Sequence, residues 1–149
     1  MNIFIKRADI SDVPEIAKLF DAYRVFYKQE SDLALASTFL SDRINHAESI
    51  IFVAVTEQNK YVGFTQLYPS FSSAFTQRIW ILNDLYVEEN SRGNGIAKKL
   101  MNKAKEFAKE TQARGISLNT EKTNTIAQNL YESLGYEKNT IFYNYFLTI

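Results

Sequence analysis

A chain of 149 residues that is 46% hydrophobic, 14% aromatic and 23% charged has the size and make-up of one packed domain, not of a disordered or fibrous polypeptide. Its 17 basic and 17 acidic side chains cancel, so no global field favours nucleic acid or an anionic membrane. Cysteine is absent and histidine occurs once, at His46, which removes disulfides, thiolate metal ligands, a cysteine nucleophile and histidine-rich zinc motifs.

The N-terminal "MNIFIKRAD" has no long apolar segment, and no later stretch offers the roughly 20 apolar residues that span a bilayer. The expectation is a cytoplasmic protein with no membrane, nucleic-acid or metal partner.

"NIFIKRAD" predicts a first strand. "SDVPEI" starts a helix, with Ser11 or Asp12 as the cap and Pro14 in the first turn. Ile16, Leu19, Phe20, Tyr23 and Phe26 then recur at helical spacing. A second helix is predicted over 33–44, with Leu33, Ala36, Phe39, Leu40 and Ile44 on its buried stripe.

"SIIFVAV", "YVGFTQLYPSF" and "RIWILNDLYV" are β-prone runs joined by short connections, which predicts an antiparallel meander. Pro69 interrupts the second run and belongs at an edge or bend. Asn83 and Asp84 sit inside the third, where polar groups need partners or a function. Asp84 either caps a bulge or serves chemistry, by relaying a proton or holding a cation.

A glycine loop follows, then a helix with Ile96, Leu100, Ala104, Phe107 and Ala108 on one face. "GISLNT" reads as a strand, "NTIAQNLYESLG" as a helix closed by Gly135, and "TIFYNYFLTI" as terminal strand. The strand-helix-strand step over 79–120 demands a right-handed crossover between two parallel neighbours. The fold class is therefore α/β, a single domain over 1–149. It has a mixed, mostly antiparallel sheet with helices on both faces, in the order β-α-α-β-β-β-α-β-α-β-β.

Gly93 and Gly95 stand one residue apart just before a helix whose first turn carries Lys98 and Lys99, where the helix dipole disfavours cations. Glycines that let a ligand approach, next to free amides at a helix N-terminus, make a phosphate site. The nucleotide loop G-x-x-x-x-G-K-[ST] is absent, and Lys98 stands where the dinucleotide loop needs its third glycine.

"LYVEENSRGNGIAKKLM" resembles the pyrophosphate motif of the GNAT superfamily of acyl-CoA-dependent N-acetyltransferases, and "NTIAQNLYESLGYE" resembles that family's segment N-x-x-A-x-x-[LF]-Y-x-x-x-G-[FY]. "IKRADISDVPEIAKLF" resembles its opening strand and helix. Asn90 departs from the Gln or Arg usual at its position.

The resemblance implies acetyl-CoA as cosubstrate. Its phosphates would be held by Arg92, Gly93, Asn94, Gly95, Ile96, Ala97 and Lys98, its pantetheine by the backbone of Leu85, Tyr86 and Val87 and by Asn124. Tyr131 would protonate the departing sulfur. Asn124 as a plain N-cap and Tyr131 as a helix-face aromatic are the simpler alternatives.

The base is left between Asp84 and Glu121. Tyr23, Tyr27 and Tyr68, with Asp84, would line an acceptor pocket suited to an alkylammonium group, although core packing accounts for the same tyrosines. The implied reaction is acetyl transfer to a primary amine, a polyamine-like metabolite or a lysine side chain, in a ternary complex. A non-catalytic CoA-binding or acyl-CoA-sensing module is the alternative. The uncharged, β-prone "TIFYNYFLTI" further predicts a homodimer, with sheets joined or strands exchanged through this segment.

Overall fold

The computed structural model describes residues 2–149, which divide into two compact units, one ending at Leu118 and the other spanning Asn119–Ile149. The first unit runs β1 (Ile3–Arg7), α1 (Val13–Phe26), α2 (Leu33–Asn45), β2 (Ile50–Thr56), β3 (Tyr61–Ser72), β4 (Gln77–Val87), α3 (Ile96–Glu110) and β5 (Ile116–Ser117). The sheet order is β1-β2-β3-β4-β5. The first three pairings are antiparallel, and β4 and β5, joined through α3, are parallel. Among the described residues no helix is long and apolar enough to cross a membrane.

The first helix start differs from the expectation. Asp12 stands at the N-cap position of α1 but makes no side-chain cap bond there; the side-chain cap is Asp9, which accepts from the Ser11 amide at 2.9 Å and opens a short 3₁₀ turn, Ile10–Asp12. Asp12 is used elsewhere. Its buried carboxylate accepts from Lys6 Nζ and the Asp9 amide, each at 2.9 Å, and from the Tyr61 hydroxyl, tying the turn to β1 and β3. In α2 the stripe is narrower than predicted: Ala36 and Leu40 are buried, whereas Leu33 is exposed because it opens the helix beside its cap, Asp32.

Alternation along the strands divides the core between two faces. Phe64 packs against Phe20 and Tyr23 of α1, at ring separations of 6.1 and 6.0 Å. Its neighbour Thr65 pairs with Phe52, whose ring meets Phe107 of α3 at 5.6 Å. α1 and α3 thus cover opposite faces.

The ladder between β3 and β4 slips at one place. Gln66 lies opposite Asp84 and Leu67 opposite Leu82, so Asn83 is an extra residue on β4. Adjacent Gln66 and Leu67 face opposite ways, and Leu82 and Asp84 must therefore do so too, although residues two apart in a regular strand share a face. Trp80, whose ring is 5.1 Å from Phe107, stays on the α3 face. Tyr86, 6.2 Å from Tyr23, is on the α1 face with Asp84. Pro69 is accommodated because β2 ends at the pair Ile50–Leu67, beyond which β3 is paired only with β4.

In the second unit α4 (Thr125–Ser133) is closed by Gly135 at φ +92°, and the Tyr136 amide returns to the Tyr131 carbonyl at 3.0 Å. The two strands expected after it do not form. Residues 137–149 carry no strand and no ladder hydrogen bond among the described residues. Asn139 Oδ1 accepts the Ile141 amide at 2.9 Å instead, a local turn bond. β-propensity measures packing against a neighbour, and nothing in the local sequence supplies one. β5 is likewise shorter than "GISLNT" suggested, with only Ile116 and Ser117 in the ladder.

Gly63 sets how closely these layers approach. A Cβ there would lie 2.9 Å from the Tyr86 carbonyl and 3.4 Å from both Ile96 and Leu100 of α3. The backbone oxygen cannot swing away, so Gly63→Ala is expected to cost about 1–3 kcal/mol of unfolding free energy, as overpacked cores do. Urea denaturation of the two proteins measures it.

Candidate active site

β4 leads through a short turn, Glu89–Ser91, into the residues 92–97 at the start of α3. Gly93 and Gly95 both have positive φ, +81° and +73°, a region in which a side chain is disfavoured. The loop is fixed from within: Arg92 Nε donates to the Val87 carbonyl at 2.9 Å and Asn94 Nδ2 to the Ser91 carbonyl at 3.0 Å. The Arg92 guanidinium also lies over the rings of Tyr86 and Phe26.

Gly95 is the residue before the first helical turn, and no side chain caps that turn. The first amide to return into α3 is that of Lys99, to the Gly95 carbonyl at 3.1 Å. The amides ahead of it point out of the helix end, as those of any first turn do. No atom lies within 4 Å of a Cβ built at either glycine, and Lys98 and Lys99 are exposed. The result is an open, rigid concavity of backbone donors with a positive dipole, fitted to phosphate oxygens.

Beside it, β5 pairs only with Trp80 and Ile81. Among the described residues no strand pairs with the flank of β4 away from β3 from Leu82 to Val87, so its main-chain groups on that side are not used by the sheet. Of the segment 85–87, the Val87 carbonyl is already taken by Arg92.

The residues proposed for the acceptor assemble on the α1 face. The bulge brings Asp84 there, only 4% exposed, where it accepts from Gln66 Nε2 at 2.7 Å, Asn83 Nδ2 at 3.2 Å and the Tyr23 hydroxyl. Burial nevertheless dominates and pushes the Asp84 carboxyl above its usual range, the three donors only moderating the shift.

Around it, burial and then the Asp84 charge raise the Tyr68 phenol to about 12. Burial, the same charge and the shared hydrogen bond raise Tyr23 beyond its ordinary range. The Tyr27 ring stands edge-on to Tyr23 at 4.9 Å.

Gln66 was not singled out from the sequence, and it is the hub. Fully buried, its Nε2 reaches both Asp84 and the Tyr68 hydroxyl, at 3.2 Å, while its Oε1 has no partner among the described residues. The signal was the period-two series Phe64, Gln66, Tyr68, which puts one amide among aromatics on a buried face.

Asn124, Glu121 and Tyr131 belong to the second unit. Asn124 caps α4, its Oδ1 accepting the Ala127 amide at 3.1 Å. Glu121 is exposed just ahead of that helix, and its carbonyl accepts the Asn124 amide at 3.0 Å. Tyr131 is half-buried on α4, its ring 6.1 Å from that of Tyr136. Burial, then the neighbouring Tyr131, raises the Tyr136 phenol to about 12.

Comparison with known proteins agrees with this architecture. A family model described as Acetyltransferase (GNAT) family matches residues 13–136. The chain is 45% identical over 145 residues to an uncharacterized N-acetyltransferase, YhfO, of Bacillus subtilis (strain 168), with 97% of each chain covered. It is 35% identical over 142 residues to a probable acetyltransferase of Haemophilus influenzae (strain ATCC 51907 / DSM 11121 / KW20 / Rd), covering 93% of this chain and 92% of the relative. The crystal structure of a probable acetyltransferase, 39% identical, matches with a TM-score of 0.93 over 98% of this chain and 97% of its own.

The raised Asp84 carboxyl has a measurable sign. A buried acid whose folded pKa lies above its unfolded value costs stability once it ionises. Asp84→Asn keeps the shape without the charge. It is expected to unfold at higher urea than the parent at pH 8, and the gain should vanish below about pH 4, where the unfolded carboxyl is protonated too. Urea titrations at a series of pH values test this.

Proposed function

The chain belongs to the acetyltransferase (GNAT) family and is an acetyltransferase enzyme. From that premise we propose that it moves an acetyl group from acetyl-CoA to a primary amine, a polyamine-like metabolite or a lysine side chain, by direct attack in a ternary complex. We propose further that residues 1–149 act as a single N-acetyltransferase domain, cytoplasmic and homodimeric. The observation that carries the reading is the helix-start loop, with two left-handed glycines, undirected amides and open space around them.

The loop fits a pyrophosphate by its donors, and the unpaired flank of β4 fits an extended chain by its main-chain groups. Acetyl-CoA, when bound, supplies an activated thioester. The chain contributes the rest. Amides of Gly93, Asn94, Gly95, Ile96, Ala97 and Lys98 hold phosphate oxygens, and Arg92, whose own amide is turned to the Glu89 carbonyl at 3.3 Å, opens the loop and fixes it through its side chain. A main-chain amide within Leu85, Tyr86 and Val87 donates to the carbonyl oxygen on which charge develops. Asn124 contributes to the pantetheine arm through whatever its capping role leaves free.

An amine with a pKa of about 10.4 must lose a proton near pH 7 before it attacks. Asp84 supports this step twice over. Its raised pKa makes it a better proton acceptor than an ordinary carboxylate, and its carboxylate with the unused Gln66 Oε1 offers acceptors for ammonium hydrogens. The faces of Tyr23, Tyr27 and Tyr68 suit the alkyl cation around them. Glu121, exposed ahead of α4, is the second base in this reading. Tyr131 donates a strong hydrogen bond, or its proton, to the departing sulfur as thiolate charge develops on it.

Thiol release from acetyl-CoA across polyamines, amino acids, aminoglycosides and lysine peptides tests the reading. Turnover is expected with a polyamine or a lysine peptide. Tight CoA binding with no turnover on any amine would leave a sensing module in its place.

Two substitutions test the parts. Gly95→Val should weaken CoA binding about tenfold or more, since a side chain at φ +73° costs about 1–2 kcal/mol and this one is β-branched; calorimetric titration measures it. Tyr131→Phe should lower kcat at least about tenfold, towards the 100-fold or greater loss typical of a general acid, while leaving acetyl-CoA affinity nearly unchanged. Steady-state kinetics with a separate binding titration distinguishes the two effects.

A further inference from the structure

Gln66 makes contacts that its place in the strand does not require. It lies opposite Asp84 in the ladder, one residue before the slip, and is completely buried. An ionised carboxylate can only accept, so the nitrogen must be the end of the amide that faces it. Both hydrogens of Nε2 are then spent, one on Asp84 Oδ2 at 2.7 Å and one on the Tyr68 hydroxyl oxygen at 3.2 Å. Oε1 is left without a partner among the described residues.

The orphan oxygen separates function from packing. A buried acceptor left unpaired costs stability, and an apolar side chain of the same shape would avoid that cost. Native chains keep such violations mainly where function needs the group. The fold also commits two consecutive residues of β3 to one residue of β4: Thr65 Oγ1 donates to the Asp84 carbonyl at 2.8 Å, and Gln66 holds the carboxylate.

We propose that Gln66 is a positioning residue for Asp84, holding its carboxylate charged and fixed beside Tyr68 to take the proton that the ammonium gives up as it becomes a neutral amine. This rests on the reading of Asp84 as base given above, and deepens it by naming the group that tunes the base.

The other groups that face Asp84 leave this task to Gln66. From α1, Tyr23 donates its hydroxyl, with Tyr27 edge-on to it. From β4, Asn83 donates over a longer 3.2 Å. Tyr68 of β3 shares the Gln66 nitrogen, and the charge of Arg43 on α2 reaches Tyr68, but that guanidinium is paired with Glu48 at 3.1 Å. No ion pair among the described residues involves Asp84. Hydrogen bonds alone therefore stabilise its charged form, and the one from Gln66 contributes most.

Gln66→Met keeps the length of the side chain without its donor. With an amine that turns over in the panel above, the acidic limb of kcat/KM against pH should move up by about one pH unit, as the loss of one hydrogen bond to a charge does, with acetyl-CoA affinity unchanged. A limb that Asp84→Asn abolishes but Gln66→Met leaves in place overturns the proposal alone. A limb that survives Asp84→Asn overturns the reading of Asp84 as base, and the proposal with it.

Stability gives a second measure that needs no turnover. Without its donor the buried carboxyl ionises less readily still, and an acid whose folded pKa lies above its unfolded value loses stability as pH rises through the folded value. Relative to the parent, the urea midpoint of Gln66→Met should therefore fall between pH 4 and pH 8, and this pH-dependent part should vanish in the Asp84→Asn background. A difference that is equal at every pH, or that persists without the Asp84 charge, would make Gln66 a packing residue and overturn the proposal.

Discussion

The candidate acceptor site depends on one extra residue in a ladder. With Asn83 inserted opposite no partner, β4 changes phase, and the strand that sends Trp80 and Leu82 towards α3 sends Asp84 and Tyr86 towards α1. The slip is pinned by Thr65, whose hydroxyl donates to the Asp84 carbonyl at 2.8 Å. Without it Asp84 would face the α3 side with Leu82, away from Tyr23 and Gln66. A buried carboxylate is tolerable only where donors converge on it, so the bulge and the donor set around Asp84 are one device, and bulges beside active sites commonly serve to re-aim a side chain in this way.

The phosphate-type loop depends on the same pair of strands from the other face. Gly63, opposite Val87 in the ladder, leaves the room into which Ile96 and Leu100 settle. This fixes where α3 begins relative to the end of β4. The loop between them is short and internally bonded through Arg92 and Asn94, so its amides are held ready before any ligand arrives, and little ordering cost is left for binding. Two glycine requirements thus coexist within one site: Gly63 answers to space, and the pair at 93 and 95 answers to backbone angle.

Much of this was legible beforehand, for identifiable reasons. The α1 stripe from Ile16 to Tyr23, the meander and the parallel β4–β5 step follow from local periodicity and connection length, and the Gly93–Gly95 loop is written in residues whose angles leave few alternatives. What escaped depends on partners distant in sequence. Periodicity places Asn83 and Asp84 in a strand but not the slip that turns them to different faces. Gln66 becomes a hub only through strand pairing with Asp84. Asp12 resembles a cap until Lys6 and Tyr61 claim it, and the terminal aromatics look like strands because propensity says nothing of where a neighbouring strand will be.

Lys98 and Lys99, exposed in a first turn that no acid or capping side chain supports, make the start of α3 conditionally stable. Two cations repel the positive end of the helix, and the uncapped amides gain nothing from the protein. An anion seated there offsets both penalties at once, so its binding and the stability of this turn are thermodynamically linked. The first amides of this turn have no acceptor within the helix and so exchange hydrogen with water more readily than the amides deeper in α3. Occupancy would slow that exchange specifically in the first turn of α3, which makes the helix start an internal reporter of whether the site is filled.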